Sequence, residues 1–233
     1  MIDVRDFNSL GAAQFGWLNA HHHFSFGQYH DPKRMGLGPL RVWNDDTIKP
    51  KTGFDPHPHK DMEIITYVRK GAITHKDRLG NEGRTVVGDV QVMHAGTGIV
   101  HAEYNLEDED TQIFQIWIHP DRTGHEPGWG SMSFPEKSSG SFTTLASGRP
   151  GDKASDTLSI HQDAAVLGAK LKSGEEVTYS FGAGRQGYLV SADAPVEING
   201  AFAEARDGIV VTGEDKITIL ALGDTDIVMV DVA

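Results

Sequence analysis

Short runs of apolar and β-branched residues recur along most of the chain, separated by glycine, asparagine and proline. Such runs predict β-strands, and many short strands with turn signals between them are typical of a β-sandwich or a β-barrel. Residues 79–83 (Leu-Gly-Asn-Glu-Gly) predict a hairpin turn, because Gly and Asn accept positive φ angles. The predicted strands include residues 63–68, 90–93, 112–118, 187–190, 209–211, 216–220 and 226–230.

Helical periodicity is weak throughout, and the best candidate for a helix is the short stretch from Asp163 to Leu171. From about Pro120 to Asp156, Gly, Ser, Pro and Thr dominate and the apolar runs vanish. This change in composition predicts a long connection between two domains.

The two halves of the sequence resemble each other weakly. In each half a strand is followed by a turn and then by a second strand that opens on Gly and Asp. In the first half these features are residues 67–71, Gly80 and residues 88–89; in the second half they are residues 188–192, 199–200 and 207–208. This faint duplication predicts two related β domains.

Composition narrows the class of protein. The chain has 233 residues, enough for two small domains, and a net charge of −12 with no basic cluster, which argues against direct binding of nucleic acid. It has no cysteine, so disulfides and thiolate metal ligands are excluded. No signal peptide and no apolar run of about 18 residues is visible, so we expect a cytoplasmic protein without membrane contact.

Two pairs of polar residues have the spacing of metal ligands on strands. Residues i and i+2 of a strand point to the same face, so His57 and His59 leave the backbone together. His101 and Glu103 repeat this geometry with one imidazole and one carboxylate. If the two strands are neighbours, three nitrogens and one oxygen converge, a set that suits a divalent transition metal.

Chance is the alternative to a metal site. Twelve histidines in 233 residues is a high number, and two such patterns can arise without function. The glycines before His101 and the prolines beside His57 favour a tight, stiff site.

The remaining histidines have simpler interpretations. Neighbouring residues of a strand face opposite ways, so at most one or two of His21, His22 and His23 line a pocket. We expect His75, His119, His125 and His161 in loops or at the surface, and the tryptophans 17, 43 and 117 in the core. The second half has no His-x-His pattern and only one histidine, so we expect it to hold no metal.

The motifs resemble those of a known family. Residues 57–63 (His-Pro-His-Lys-Asp-Met-Glu) match the first cupin motif, and residues 88–105 resemble the second, although His94 replaces its proline and the spacing before His101 is two residues longer. Residues 22–26, 57–59, 95–98 and 101–105 together resemble the pirin family. The resemblance covers about residues 15–120, extends more loosely to the C-terminus, and is closest to bacterial pirin-like quercetin 2,3-dioxygenases.

The resemblance implies an all-β bicupin, two antiparallel jelly-roll barrels with few short helices. It implies a metal-binding cupin domain over residues 1–135 and a degenerate, metal-free cupin domain over residues 136–233. One divalent ion is expected on His57, His59, His101 and Glu103, with Fe(II) first and Ni, Cu, Mn, Co or Zn as alternatives. In most cupins the carboxylate ligand would be Glu63; in pirins it is Glu103, which also shares a strand face with His101.

The implied activity is cleavage of a flavonol such as quercetin by dioxygen, with Glu103 also acting as the base. The alternative is a non-enzymatic pirin that binds metal and regulates through protein partners. The two types share nearly the same motif, so the predicted ligands do not choose between them.

Overall fold

A computed structural model describes residues 1–134, 140–152 and 157–233. The chain divides into two compact units, which we call the histidine unit (residues 11–134 and 158–162) and the C-terminal unit (residues 1–10, 135–157 and 163–233). All twelve histidines lie in the histidine unit. None of the described residues forms a helix of the length and apolarity that a membrane crossing needs.

The described residues are nearly all β-strand or turn, which confirms the all-β prediction; a 3₁₀ turn at Phe7–Ser9 is the exception. The strands, in chain order, are β1 (Ile2–Arg5), β2 (Gly11–Gln14), β3 (Leu18–His22), β4 (Leu40–Ile48), β5 (Thr52–His59), β6 (Glu63–Lys70), β7 (Ala72–Asp77), β8 (Glu82–Val86), β9 (Val90–His94), β10 (Ile99–Asn105), β11 (Thr111–Ile118), β12 (Gly128–Met132), β13 (Thr143–Ser147), β14 (Leu158–Ser159), β15 (Ala164–Leu171), β16 (Glu176–Ser180), β17 (Gln186–Ser191), β18 (Val196–Ile198), β19 (Ala201–Ala203), β20 (Gly208–Thr212), β21 (Lys216–Ala221) and β22 (Thr225–Val232).

The histidine unit consists of two antiparallel sheets, ordered β12-β9-β6-β11-β4-β3-β2 and β5-β10-β7-β8. Neither sheet closes on itself, so the predicted barrel is a jelly-roll sandwich of two open sheets. Side chains from both sheets meet in its core, where Ile73 of the smaller sheet packs with Ile48, Val68 and Ile113 of the larger one. Alternation along each strand sends every second side chain into this layer.

The C-terminal unit repeats this topology. Its larger sheet runs β1-β20-β17-β22-β15-β13 and its smaller one β16-β21-β18-β19, which matches the first unit strand for strand over β9-β6-β11-β4 and β5-β10-β7-β8. The predicted duplication is therefore confirmed. On β16 and β21, the counterparts of β5 and β10, the buried positions carry Val177, Ile217, Ile219 and Ala221. Apolar side chains fill the place where the first unit carries histidines.

Two predictions from the sequence were wrong. Within the predicted helix of residues 163–171, Ala164–Leu171 form strand β15, because pairing with β13 and β22 on both edges outweighs the helix propensity of Ala, Leu and Lys. The predicted connection over residues 120–156 contains strands β12 and β13 among its described residues. The predicted domain boundary at 135/136 touches residues outside the described ones and stays a prediction.

The hairpin predicted at residues 79–83 is confirmed between β7 and β8, with Gly80 at φ +96°. A second glycine controls how closely two strands approach. A Cβ atom on Gly53 of β5 would lie 2.2 Å from the backbone oxygen of Glu103 and 2.6 Å from the Cα atom of Tyr104, both on β10. Only glycine permits this separation of β5 and β10.

We predict that Gly53→Ala lowers the free energy of unfolding by about 1–3 kcal/mol, because the new methyl group meets backbone atoms that cannot move aside without shifting a strand. Gly130→Ala is the matched control, since a Cβ there would meet its nearest atom at an ordinary 3.7 Å. Urea unfolding of both variants checks the prediction. Equal destabilisation by the two substitutions would contradict it.

Candidate metal centre

The pairing of β5 with β10 brings the predicted histidines together. His101 lies directly opposite His57, and the register shifts between His101 and Glu103. The ring centroids of His57 and His101 are 4.5 Å apart, those of His57 and His59 are 4.8 Å apart, and those of His59 and His101 are 5.1 Å apart. One nitrogen from each imidazole can be chosen so that all three lie within 4.8 Å of one another.

Strand β7 supports this cluster from the other edge of β10. Asp77 pairs with His101 in register, and His75 pairs with Glu103. The Nε2 atom of His75 lies 3.0 Å from Oδ2 of Asp77, and its Nδ1 atom lies 3.4 Å from Nδ1 of His101. If Nε2–H of His75 donates a hydrogen bond to the Asp77 carboxylate, then Nδ1 of His75 carries no proton and accepts a hydrogen bond from Nδ1–H of His101. This series of hydrogen bonds leaves a lone pair on Nε2 of His101.

The imidazoles of His57 and His101 each have a nitrogen that can bind a metal ion. Nε2 of His101 is buried and has no hydrogen-bond partner among the described residues, which is costly unless a ligand is bound there. Nδ1 of His57 lies 2.7 Å from the carbonyl oxygen of Asp55, so it carries the proton and leaves Nε2 as the acceptor. A metal-bound histidine needs such a second contact to hold its tautomer.

Burial keeps the imidazoles in the form that binds metals. Burial, and next the charge of His57, lower the pKa of His59 to about 4. Burial, followed by the charges of His57, His59 and His75, lowers the pKa of His101 to about 2, although Asp77 acts in the opposite direction. At neutral pH both rings are neutral and can donate a nitrogen lone pair.

The carboxylate of Glu103 lies in a buried polar network beside His101. Its Oε1 accepts a hydrogen bond from Nε2 of Gln91 at 2.6 Å, and its Oε2 accepts one from Nε2 of Gln115 at 2.8 Å. Burial raises the pKa of Glu103 to about 7, against the hydrogen bonds from Gln115, Gln91 and Thr66. Ligand atoms of Glu103, His75 and His101 also lie within 4.8 Å of one another.

The structure thus places three of the four predicted ligands, His57, His59 and His101, in one group. Glu103 belongs to an adjoining group that shares His101. Glu63, the alternative carboxylate, lies in neither of these groups; its ligand oxygen is close to nitrogens of His94 and His161.

Comparisons with known proteins show the family to which the chain belongs. A family model described as Pirin matches residues 4–118, and one described as Quercetinase C-terminal cupin domain matches residues 145–232. A pirin-like protein of Caulobacter vibrioides is 61% identical over the full length of both chains. The chain belongs to the pirin family.

Other members of the pirin family extend the comparison. A protein of Escherichia coli K12 named quercetin 2,3-dioxygenase is 38% identical, over 99% of this chain and 98% of its own length. The structure of a bacterial pirin from Escherichia coli in complex with nickel(II) superposes with a TM-score of 0.90, at 37% identity and over 100% of this chain and 99% of the other. A relative of the same fold therefore holds a divalent transition metal.

The histidine unit of this pirin contains a cavity of about 460 Å³, and two residues of its wall contact members of the predicted ligand set. Its walls are mostly apolar, and it shares Gln115 with the Glu103 network and Phe54 with the surroundings of His57. His22, the member of the 21–23 run that reaches this cavity, is held through Nδ1 by Oδ1 of Asn44 at 2.9 Å. The volume lies in the range of about 300–1,000 Å³ that is usual for small-molecule sites.

Sequence reasoning missed the residues that support the cluster. His75 is buried on β7 rather than in a loop or at the surface, whereas His119, His125 and His161 lie outside the strands as expected. His75 and Asp77 form a third pair at i and i+2, and this spacing could have indicated their shared face. Gln91 and Gln115 are polar residues inside apolar strands, a signal of a buried polar network.

The tryptophans differ in burial. Trp43 is fully buried, as predicted, whereas Trp17 and Trp117 are only partly buried, and the ring of Trp117 lies 4.9 Å from that of His59.

We predict that His75→Phe weakens metal binding about 10–100-fold, because Phe keeps the ring stacked on Trp129 but removes the nitrogen that accepts from His101. Trp129→Phe is the control, since it alters the same stack and leaves both imidazoles intact. Competition for Ni²⁺ with a coloured chelator measures both affinities. An unchanged affinity in His75→Phe would show that the hydrogen bond does not orient His101.

Proposed function

We propose that this pirin binds a divalent transition-metal ion with His57, His59, His101 and Glu103 and uses it to cleave flavonols with dioxygen. The observation that carries the proposal is the group of three imidazoles, His57, His59 and His101, with the buried carboxyl group of Glu103 in an adjoining group that shares His101. An apolar cavity shares Gln115 with the Glu103 network. The Escherichia coli relative named quercetin 2,3-dioxygenase supports the choice of substrate. Fe(II) is the first candidate ion, with Ni, Cu, Mn, Co and Zn as alternatives, because nitrogen and carboxylate ligands suit all of them.

The donor set fits an ion that still accepts substrate. Three imidazoles and one carboxylate fill four positions, so a five- or six-coordinate ion retains one or two for a substrate. When bound, the ion supplies a Lewis acid for the neighbouring hydroxyl and ketone oxygens of a flavonol. Oε2 of Glu103 accepts one hydrogen bond, from Gln115, and keeps a lone pair for an ion, whereas Oε1 accepts from both Gln91 and Thr66. The network therefore does not exclude ligation through Oε2.

The protein side chains bind the substrate and move its proton. Phe15, Phe26 and Phe54 line the cavity and offer apolar contacts to a flat aromatic molecule, while excluding competing water. Glu103 accepts the proton of the flavonol hydroxyl, and Gln91 and Gln115 hold its carboxylate in place. The overall reaction consumes one flavonol and one dioxygen and yields a ring-opened product and carbon monoxide.

Glu103→Gln tests the role of the carboxylate. Gln keeps an oxygen and nearly the same shape but cannot take up the proton, so we expect oxygen uptake with quercetin to fall about 10²–10⁴-fold. The fold and much of the metal should remain. His57→Ala should instead lose the metal, because one of the four anchoring bonds disappears. Rates are normalised to metal content, and Glu109→Gln is the control because its carboxylate is exposed.

Three outcomes separate the alternatives. Wild-type protein that is inactive on flavonols when loaded with Fe(II) and with each of the alternative ions would refute the dioxygenase and leave a pirin that acts through partners. Equal activity per metal in wild type and Glu103→Gln would remove Glu103 from the mechanism. Full metal content in His57→Ala would refute the ligand set.

A further inference from the structure

A second cluster of potential ligands lies in the histidine unit, in addition to the one described above. It contains Glu63 at the start of β6, His94 at the end of β9, and His161 just after β14. Nδ1 of His94 is 2.6 Å from Oε2 of Glu63, and Nδ1 of His161 is 3.2 Å from Oε1 of the same carboxylate. One ligand atom from each side chain lies within 4.8 Å of the other two. The cluster shares no residue with the groups around His101.

His161 is the single histidine of the second half of the sequence and lies outside the strands, as expected, but its contacts with Glu63 could not be read from the sequence. Glu63 and His161 are 98 positions apart in the sequence, yet the backbone N–H of His161 also donates to Oε2 of Glu63 at 3.2 Å. The segment of residues 158–162 belongs to the histidine unit although the residues that follow it do not. Folding therefore brings one imidazole from the second half of the sequence next to Glu63 and His94, which belong to the first half.

The burial of the three side chains suits a cation that enters from solvent. The side chain of Glu63 is only 1% exposed, while those of His94 and His161 are 16% and 35% exposed. Burial by itself raises the pKa of Glu63, but hydrogen bonds and charge from His94 and hydrogen bonds from His161 outweigh it, so the pKa lies below its usual value. A buried carboxylate anion thus lies beneath two imidazoles that water can reach.

Neighbouring side chains hold His161 in place. The ring of His125 stacks on that of His161 with centroids 3.9 Å apart and planes inclined by 24°. Nε2 of His125 contacts Oδ1 of Asp121 at 2.6 Å, and the backbone N–H of Asp121 donates to the carbonyl oxygen of His161 at 2.6 Å. Gly96 permits this packing, because a Cβ there would lie 2.2 Å from the carbonyl oxygen of His125. The imidazole of His161 is therefore preorganised beside Glu63.

We propose that Glu63, His94 and His161 form a second site for a divalent transition-metal ion. Two imidazoles and one carboxylate are a donor set that binds first-row divalent ions with open positions for water. Donor atoms that share an ion at about 2.1 Å each lie roughly 3–4 Å apart, so small side-chain movements suffice. The ion replaces the hydrogen bonds between Glu63 and the two imidazoles, and it links residues 158–162 to β6 and β9.

The test is the number of ions that the full-length protein binds. Wild-type protein is stripped with a chelator, dialysed to equilibrium against Co²⁺ as the sole transition metal, and analysed for cobalt per chain. We expect two ions per chain in wild type, one in His161→Ala and one in His57→Ala. His119→Ala is the matched control, because it removes an exposed imidazole outside both clusters and should leave two ions.

Each outcome decides for or against the second site. A wild type with one ion that is lost in His57→Ala and kept in His161→Ala would overturn it and leave the cluster as an ion-pair network. Two ions retained in His161→Ala would overturn it as well. One ion lost in His161→Ala and kept in His57→Ala would support the second site and refute the first, so the two fail separately. If circular dichroism shows that His161→Ala is unfolded, Glu63→Gln replaces it, with the same expected loss of one ion.

Discussion

The antiparallel pairing of β5 with β10 is the constraint on which the site depends. It sets His57 opposite His101, and its close approach requires Gly53, whose missing side chain leaves room for the backbone of β10. The register shift after His101 keeps Glu103 in the sheet while changing which residue of β5 it faces. A slip of one residue in this pairing would turn the imidazoles of one strand to the opposite face and disperse the cluster.

The pairing of β5 with β10 buries several polar groups, and each of them needs a hydrogen-bond partner. Glu103 has Gln91 and Gln115, and His75 connects Asp77 to His101. Such a network orients its members only when all are satisfied, since an unpaired polar group in a low-dielectric interior is costly. Among these groups, Nε2 of His101 is the exception, because it has no hydrogen-bond partner among the described residues. The His101 ring lies beside the ring of His59. The network thus fixes the geometry of a site whose remaining lone pair is available to an ion.

The duplicated topology shows how one architecture serves two different interiors. Strands β5 and β10 carry histidines and a glutamate, whereas their counterparts β16 and β21 send Val177, Ile217 and Ile219 into the core. Apolar side chains stabilise a sandwich by burial alone, at about 25 cal/mol per Å² of apolar surface. The histidine unit gives up part of that stabilisation at its site and depends on polar contacts instead.

The sequence by itself determined the all-β class, the duplication and the shared faces of His57 with His59 and of His101 with Glu103, because these follow from local periodicity. Only the tertiary structure decided which strands are neighbours. It made Ala164–Leu171, within the predicted helix, the strand β15, since pairing on both edges outweighs local propensity. It also placed His75 behind His101 and brought His161 to Glu63. No local pattern encodes such contacts, because they join residues that are distant in sequence and meet only when the strands pair and the core packs.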